Sequence, residues 1–163
     1  MIYGLTPLGV IHTAISLVAL ASGFWALARD KQIEPGTGLG KLYLVTTFLT
    51  AATGLGIFEH GGFGPPHVLS ILTLLALAVG MVAATSSRFG RASPYVQLVA
   101  FSSTFLFHMI PGFTETLTRL PLDAPVLASA EAPQFKPLYA ALFVLFGIGL
   151  TLQIRWLRAR QRA

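Results

Sequence analysis

Long apolar stretches separated by short polar pieces rich in glycine and proline define the pattern of this chain. Five stretches lack Asp, Glu, Lys and Arg, and each approaches the roughly 20 helical residues that a bilayer requires. They cover residues 7–28, 42–58, 67–87, 94–114 and 137–154. The connecting pieces RDKQIEPGTGLGK, EHGGFGPPH and SSRFGRASP contain the residues that form turns. The pattern therefore predicts an all-α integral membrane protein, a bundle of five transmembrane helices.

Polar residues extend the predicted helices beyond the apolar stretches. After the fourth stretch, FTETLTRLP can continue the helix by about two turns until Pro121 ends it. With such extensions the helices are predicted at about 7–28, 42–60, 67–87, 94–118 and 137–158. Residues 1–163 then form a single transmembrane domain, and the long connection at 113–136 covers its outer end.

The basic residues lie mainly on one side of the predicted membrane. Nine of the 11 are on that side: Arg29, Lys31, Lys41, Arg88, Arg91, Arg155, Arg158, Arg160 and Arg162. Because cytoplasmic loops carry the excess of Lys and Arg, the N-terminus is predicted outside and the C-terminus in the cytoplasm. The basic tail is interpreted as a topology anchor at anionic lipid, so the net charge of +5 does not indicate nucleic-acid binding.

Composition supports a lipid environment and removes several kinds of site. The chain is 54% hydrophobic and 10% charged, whereas soluble domains carry about 25% charged residues. Because cysteine is absent, disulfides, thiolate zinc sites, iron–sulfur clusters and covalently attached c-type haem are excluded.

Histidines and glutamates gather in the outer half of the predicted bundle. His12 on the first helix and His108 on the fourth lie at matching depth, roughly 7–10 Å below the outer surface. The other members, nearer that surface, are Glu59, His60, His67 and Glu115. Polar groups that face lipid are costly, so these side chains are expected to point into the bundle and form one polar cluster.

Helical spacing adds further polar residues to these faces. Thr104 and Glu115 share a face with His108. A stripe along the second helix contains Thr46, Thr50, Thr53, Ile57 and His60, and it is interpreted as helix packing. The aromatic residues near segment ends are interpreted as an interfacial belt. They are Tyr3, Trp25, Tyr43, Tyr95, Tyr139 and Trp156.

Three kinds of chemistry suit the polar cluster, and the residues alone leave them open. His12 and His108 can be the two axial ligands of one b-type haem. Alternatively, one or two ions of Cu, Zn or Fe can be held by His12, His60, His67, His108, Glu59 and Glu115. Proton or quinol chemistry, with His and Glu as relay groups, is the third.

Structural roles stand beside these chemical ones. A histidine inside a membrane helix can simply hydrogen-bond Ser, Thr or Glu on another helix. Glu115 and Arg119 are spaced i, i+4, which predicts an ion pair on one helix face. That ion pair would leave Glu115 unavailable as a ligand.

Three sequence pieces together resemble a bacterial family of uncharacterised predicted inner-membrane proteins, a domain-of-unknown-function family. They are HTAISLVALASGFWAL at 12–27, GGFGPPH at 61–67 and FHMIPGFTETLTRLP at 107–121. The resemblance covers most of the first four helices. Where other members begin helix four with HYRFM, this chain has PYVQL and carries His108 later.

The resemblance implies a multi-pass protein of the bacterial inner membrane. The family's bundle is loosely similar to b-type cytochromes with two haems, which favours the haem hypothesis. This chain has no histidine in the cytoplasmic half, so one haem at most is expected here.

The leading prediction is a membrane redox protein of electron transport. His12 and His108 hold one b-type haem or a metal centre in the periplasmic half of the bundle, and His60, His67 and Glu59 are secondary candidates. Quinol or a periplasmic protein is the expected electron partner. The alternatives are a non-catalytic membrane subunit that packs against partners and a small transporter that acts as a homo-oligomer.

Overall fold

The fold consists of five α-helices, as seen in a computed structural model that describes residues 6–58 and 62–162. The helices are α1 (Pro7–Asp30), α2 (Gly38–Gly54), α3 (Pro65–Thr85), α4 (Ser93–Arg119) and α5 (Phe135–Arg162). A short 3-10 helix, Gly90–Ala92, leads into α4. These described ranges contain no β-strand, so the prediction of an all-α chain is confirmed.

Four of the five helices are long and apolar enough to cross a membrane, namely α1, α3, α4 together with the preceding 3-10 turn, and α5. The exception is α2, which has 17 residues and is therefore about 25 Å long. A bilayer core is about 30 Å thick, so α2 is about 5 Å shorter than such a core.

The bounds of α2 differ from the predicted 42–60, and glycine explains both ends. At its start, Thr37 caps the helix, with Oγ1 accepting a hydrogen bond of 3.0 Å from the Gly40 amide. A Cβ at Gly40 would lie 1.9 Å from the Glu34 carbonyl oxygen, so only glycine permits this close turn. At its end, the chain leaves the helix at Gly54 and turns through Gly56, whose amide bonds the Thr53 carbonyl at 3.0 Å. Within the sequence GTGLG, Thr37 is therefore the N-cap and Gly38, Leu39 and Gly40 begin the helix.

The bounds of α4 agree with the predicted extension. The helix continues through Pro111 and ends at Arg119. Pro111 has no amide hydrogen, so one hydrogen bond of the helix is missing there. Beyond the end, the Leu120 amide still bonds the Thr116 carbonyl at 2.9 Å, and Pro121 follows.

Helices α1 to α4 form a closed bundle, and α5 lies outside it. Contacts run from α1 to α2, α2 to α3, α3 to α4 and α4 back to α1, whereas α5 packs on α4. Hydrogen bonds attach α5 to α4 near both ends. Tyr95 Oη donates to Gln161 Oε1 at 2.9 Å, and the Thr114 and Tyr139 hydroxyls lie 2.6 Å apart. Of the described residues of α5, Phe135 and Leu157 are buried.

Two glycines bring neighbouring helices close enough to bury aromatic rings. A Cβ at Gly23 of α1 would lie 2.6 Å from the Tyr43 ring of α2, and a Cβ at Gly80 of α3 would lie 2.3 Å from the Phe101 ring of α4. Tyr43 and Phe101 are completely buried. Small residues at such contacts let helix backbones approach, which drives helix association in lipid. In this bundle, Gly23 allows the close α1–α2 contact and Gly80 allows the close α3–α4 contact.

We expect Gly80→Ala to lower the free energy of unfolding by about 1–3 kcal/mol, because the new methyl group overlaps the Phe101 ring. The matched control is Gly112→Ala on α4, whose Cβ would meet Leu20 at an ordinary 3.7 Å. Unfolding in detergent, followed by circular dichroism, measures both. Equal stability of the two variants would contradict this account of the α3–α4 contact.

Candidate functional site

His12 projects from α1 onto the end of α2. Its Nδ1 lies 3.0 Å from the Thr53 hydroxyl oxygen. The adjacent Gly54 makes room for the ring, because a Cβ there would lie 3.2 Å from His12 Cε1 and 2.7 Å from Ser70 Oγ of α3. His12 is thus seated where α1, α2 and α3 meet.

The hydrogen bonds of Thr53 favour one tautomer of His12. Thr53 has one hydroxyl hydrogen, and its oxygen lies 2.8 Å from the Leu49 carbonyl and 3.0 Å from the Thr50 carbonyl. With that hydrogen directed to its own helix, the hydroxyl oxygen accepts from His12, so Nδ1 carries the proton. The lone pair of neutral His12 is then on Nε2, the arrangement in which a histidine can bind a metal.

His108 projects from α4 toward the middle of α2. Its Nε2 lies 3.1 Å from the hydroxyl oxygen of Thr47, and its side chain is 7% exposed while Thr47 is completely buried. In the described part of the chain, the Thr47 hydroxyl makes no bond to a carbonyl of its own helix. It can therefore donate to His108 or accept from it, and both neutral tautomers of His108 are compatible with the contact.

A second α2–α4 hydrogen bond lies beside His108. The Tyr43 and Thr104 hydroxyl oxygens are 2.7 Å apart, and Thr104 directs its hydrogen to the Phe101 carbonyl at 2.7 Å. Tyr43 is therefore the donor to Thr104. The Tyr43 ring meets the His108 ring edge-on, with 6.2 Å between centroids. These contacts hold the His108 ring between the Thr47 hydroxyl and the edge of the Tyr43 ring.

The two histidines share the α2 surface but bind it at different heights. Their partners Thr47 and Thr53 are six residues apart on one helix, which corresponds to about 9 Å along its axis. The predicted meeting of two rings at a common level is not tested by these contacts and stays a prediction.

His67 occupies a different environment, an aromatic slot at the start of α3. Its ring lies between Phe58 and Phe63, with centroid distances of 4.5 Å and 5.2 Å, and is 4% exposed. Nδ1 accepts a hydrogen bond of 3.1 Å from the Gly64 amide, so the proton of the neutral ring is on Nε2. Nε2 is buried and has no hydrogen-bond partner among the described residues. This geometry makes His67 a donor and does not support the suggested ligand role.

The other proposed metal ligands do not form a cluster with the histidines in the described ranges. Glu115 pairs with Arg119 on the exposed side of α4, as the i, i+4 spacing predicted. No group of three His, Cys, Asp or Glu side chains suited to a metal ion occurs in residues 6–58 and 62–162. Glu59, His60 and Tyr3 lie outside the described residues.

Sequence reasoning assigned Tyr43 to the membrane interface and did not single out Thr47. Both are completely buried in the bundle. The error follows from starting α2 at residue 42, which placed Tyr43 in the first turn; α2 begins at Gly38. The i, i+4 spacing of Tyr43 and Thr47 was the available signal, since both then share the face that meets α4.

Comparison with known proteins gives no match to a family model, to a curated protein or to a solved structure.

We expect Thr47→Val to lower the free energy of unfolding by about 1–3 kcal/mol, because it removes the one partner of a buried His108 nitrogen. Thr46→Val is the matched control. Thr46 is also buried, but its hydroxyl bonds only the Leu42 and Tyr43 carbonyls of its own helix, at 2.7 Å and 3.1 Å. Denaturant titration of both variants in the same detergent measures their free energies of unfolding. A similar decrease in the two variants would show that the His108–Thr47 bond adds no stability beyond that of an ordinary threonine hydroxyl.

Proposed function

We propose that this chain is a membrane redox protein that binds one b-type haem or one metal centre through His12 and His108. The observation that carries the proposal is the His12–Thr53 bond, which leaves the lone pair of the neutral ring on Nε2. Metal-binding histidines commonly donate their other ring N–H to an oxygen, which orients the ring. Thr53 supplies such an oxygen.

The residues fit haem better than a metal ion held by many protein donors. Haem iron is held in proteins by one or two side chains such as histidine, and two histidines are available to hold it here. An ion held by three or more protein side chains needs a cluster that the described residues do not contain. His12 presents Nε2, and His108 presents Nδ1 when it donates its other N–H to Thr47. The bound group would supply one-electron chemistry, while Thr53 and Thr47 orient the rings.

The proposed location is the bacterial inner membrane, with the N-terminus outside and the C-terminus in the cytoplasm. Four long apolar helices support a membrane location, and the distribution of basic residues supports the orientation. The resemblance to uncharacterised bacterial inner-membrane proteins supports the bacterial source. Quinol or a periplasmic protein remains the proposed electron partner.

A non-catalytic subunit is the second candidate, and the position of α5 favours it. This helix packs on α4, and its other side exposes Phe143, Val144, Leu145 and Ile148. Such a surface is stable against lipid or against another membrane protein. In this reading, the histidine–threonine bonds serve only to join helices.

An absorption spectrum of the purified protein, oxidised and reduced, tests the cofactor proposal. With haem supplied during expression, we expect a Soret band that His12→Ala and His108→Ala abolish. His67→Ala is the control and keeps the band, because His67 has its lone pair engaged with Gly64. Elemental analysis for Cu, Zn and Fe follows the metal alternative. Folded protein with neither colour nor stoichiometric metal would leave the subunit reading.

Thr53→Val separates orientation from ligation. It keeps His12 but removes the oxygen that holds Nδ1. We expect about 10- to 100-fold weaker haem or metal binding, the usual effect of losing such a partner. Titration of the apoprotein with haem or metal measures the affinity. An unchanged affinity would show that Thr53 does not orient His12 for binding.

Reporter fusions test the number of spans. Alkaline phosphatase is active only outside the cytoplasm, so we expect activity when it follows Asp123 and none when it follows Arg162. If the short α2 does not cross, the chain has four spans and both of its ends lie on one side. The two fusions, together with one at the N-terminus, distinguish these cases.

A further inference from the structure

A lateral groove lies where α5 leans on α4 beside the end of α1. Its cavity has a volume of about 570 Å³, within the range of about 300–1,000 Å³ that is typical of small-molecule sites. The walls are apolar side chains, among them Leu27, Phe105, Met109 and Leu142.

Polar residues occur mainly toward one end of this groove. Gln153 joins three helices there, because Nε2 donates to the Lys31 carbonyl at 2.7 Å and Oε1 accepts from Ser102 at 2.9 Å. Lys31 caps α1 in a left-handed conformation with φ of 64°. Its ammonium bonds the Ala28 carbonyl at 2.7 Å, which leaves further N–H donors.

Basic side chains lie near the same end. The Arg160 guanidinium lies 5.3 Å from the centre of the Trp156 ring, and Trp156 lines the groove with Lys31. The nearby Asp30 is neutralised by Arg29 at 2.8 Å. An apolar slot with basic groups at its mouth complements a molecule with an acyl chain and an anionic head group.

The length of the groove also matches a lipid chain. From Leu142 to Trp156 the lining follows α5 for 15 residues, whose ends are about 21 Å apart. One leaflet of the hydrocarbon core is about 15 Å thick. The slot therefore has room for a full acyl chain alongside the helix, with the head group at Lys31 and Trp156.

We propose that this groove binds an anionic phospholipid, with one acyl chain between α1, α4 and α5 and the phosphate at Lys31. The site rests on the proposed membrane location, but it is independent of haem or metal. It gives α5 a role as the outer wall of a lipid site.

Quenching of Trp156 fluorescence by brominated lipids tests the proposal. The chain has two tryptophans, so Trp25→Phe leaves Trp156 as the single reporter. The protein is reconstituted in vesicles that contain brominated phosphatidylglycerol or brominated phosphatidylcholine at equal mole fraction. We expect the anionic lipid to occupy the site about fivefold more strongly, the effect of one basic residue near a membrane surface.

Two glycines of α5 provide a matched pair of groove variants. Gly149 lines the groove and Gly147 lies on the other side of the helix, and a Cβ at either position has nothing within 4 Å. Gly149→Leu should fill the slot and abolish the preference for phosphatidylglycerol, whereas Gly147→Leu should retain it. Lys31→Gln should also remove the preference, and Lys31→Arg should keep it.

The alternatives give distinct results. Equal quenching by the two lipids in the parent protein overturns the proposal. Weak quenching by both lipids also overturns it, because another protein surface would then cover the groove. A similar preference in Gly149→Leu and Gly147→Leu overturns it as well. Brominated lipid occupies both leaflets, so the assay does not depend on the orientation of the chain, and a missing Soret band leaves it unaffected.

Discussion

The structure depends on hydrogen bonds between polar side chains of neighbouring helices. A buried polar group requires such a partner because its apolar surroundings offer none. In a lipid environment, hydrogen bonds must be made inside the protein, because acyl chains have no donors or acceptors that could take the place of water. Helix α2 meets this need for two of its neighbours. Thr53 bonds His12 of α1, while Thr47 and Tyr43 bond His108 and Thr104 of α4. Helix α2, the shortest of the five α-helices, thus carries the side-chain hydrogen bonds that join it to α1 and α4.

These bonds tie the candidate chemistry to the fold. A threonine that uses its hydrogen within its own helix can only accept from a neighbour, and this sets the tautomer of the histidine it meets. Thr53 does so for His12, whereas Thr47 leaves His108 adaptable. The glycines that bring helices together act at the same places. Gly54 makes room for His12, and Gly23 makes room for the Tyr43 ring, whose other neighbour is His108. Helix packing and the orientation of the histidine rings are therefore set by the same few residues.

The sequence predicts the helices better than it predicts their partners. Charge-free apolar runs locate all five helices, because each run is long and bounded by turn residues. The start of α2 could not be read from them, since GTGLG resembles a loop, whereas its last three residues begin the helix and Gly40 lies close to the Glu34 carbonyl. That shift hid Tyr43 and Thr47. Hydrophobic periodicity reports which face is buried, but the atom that a histidine meets depends on helix rotation and offset. Neither is fixed by one helix alone.

The position of a histidine therefore does not show whether its free nitrogen can bind a metal or can only donate a hydrogen bond. The nitrogen that carries the proton shows it. His12, His67 and His108 all lie in the half of the bundle expected to face outward, and imidazole is a common metal ligand in each case. At His67, the Gly64 amide takes the lone pair of Nδ1 and leaves a buried N–H that has no acceptor among residues 6–58 and 62–162. At His12, Thr53 takes the N–H and leaves a lone pair. The imidazoles of His12 and His67 thus offer opposite chemistry, and a search by residue type alone would treat them as equivalent.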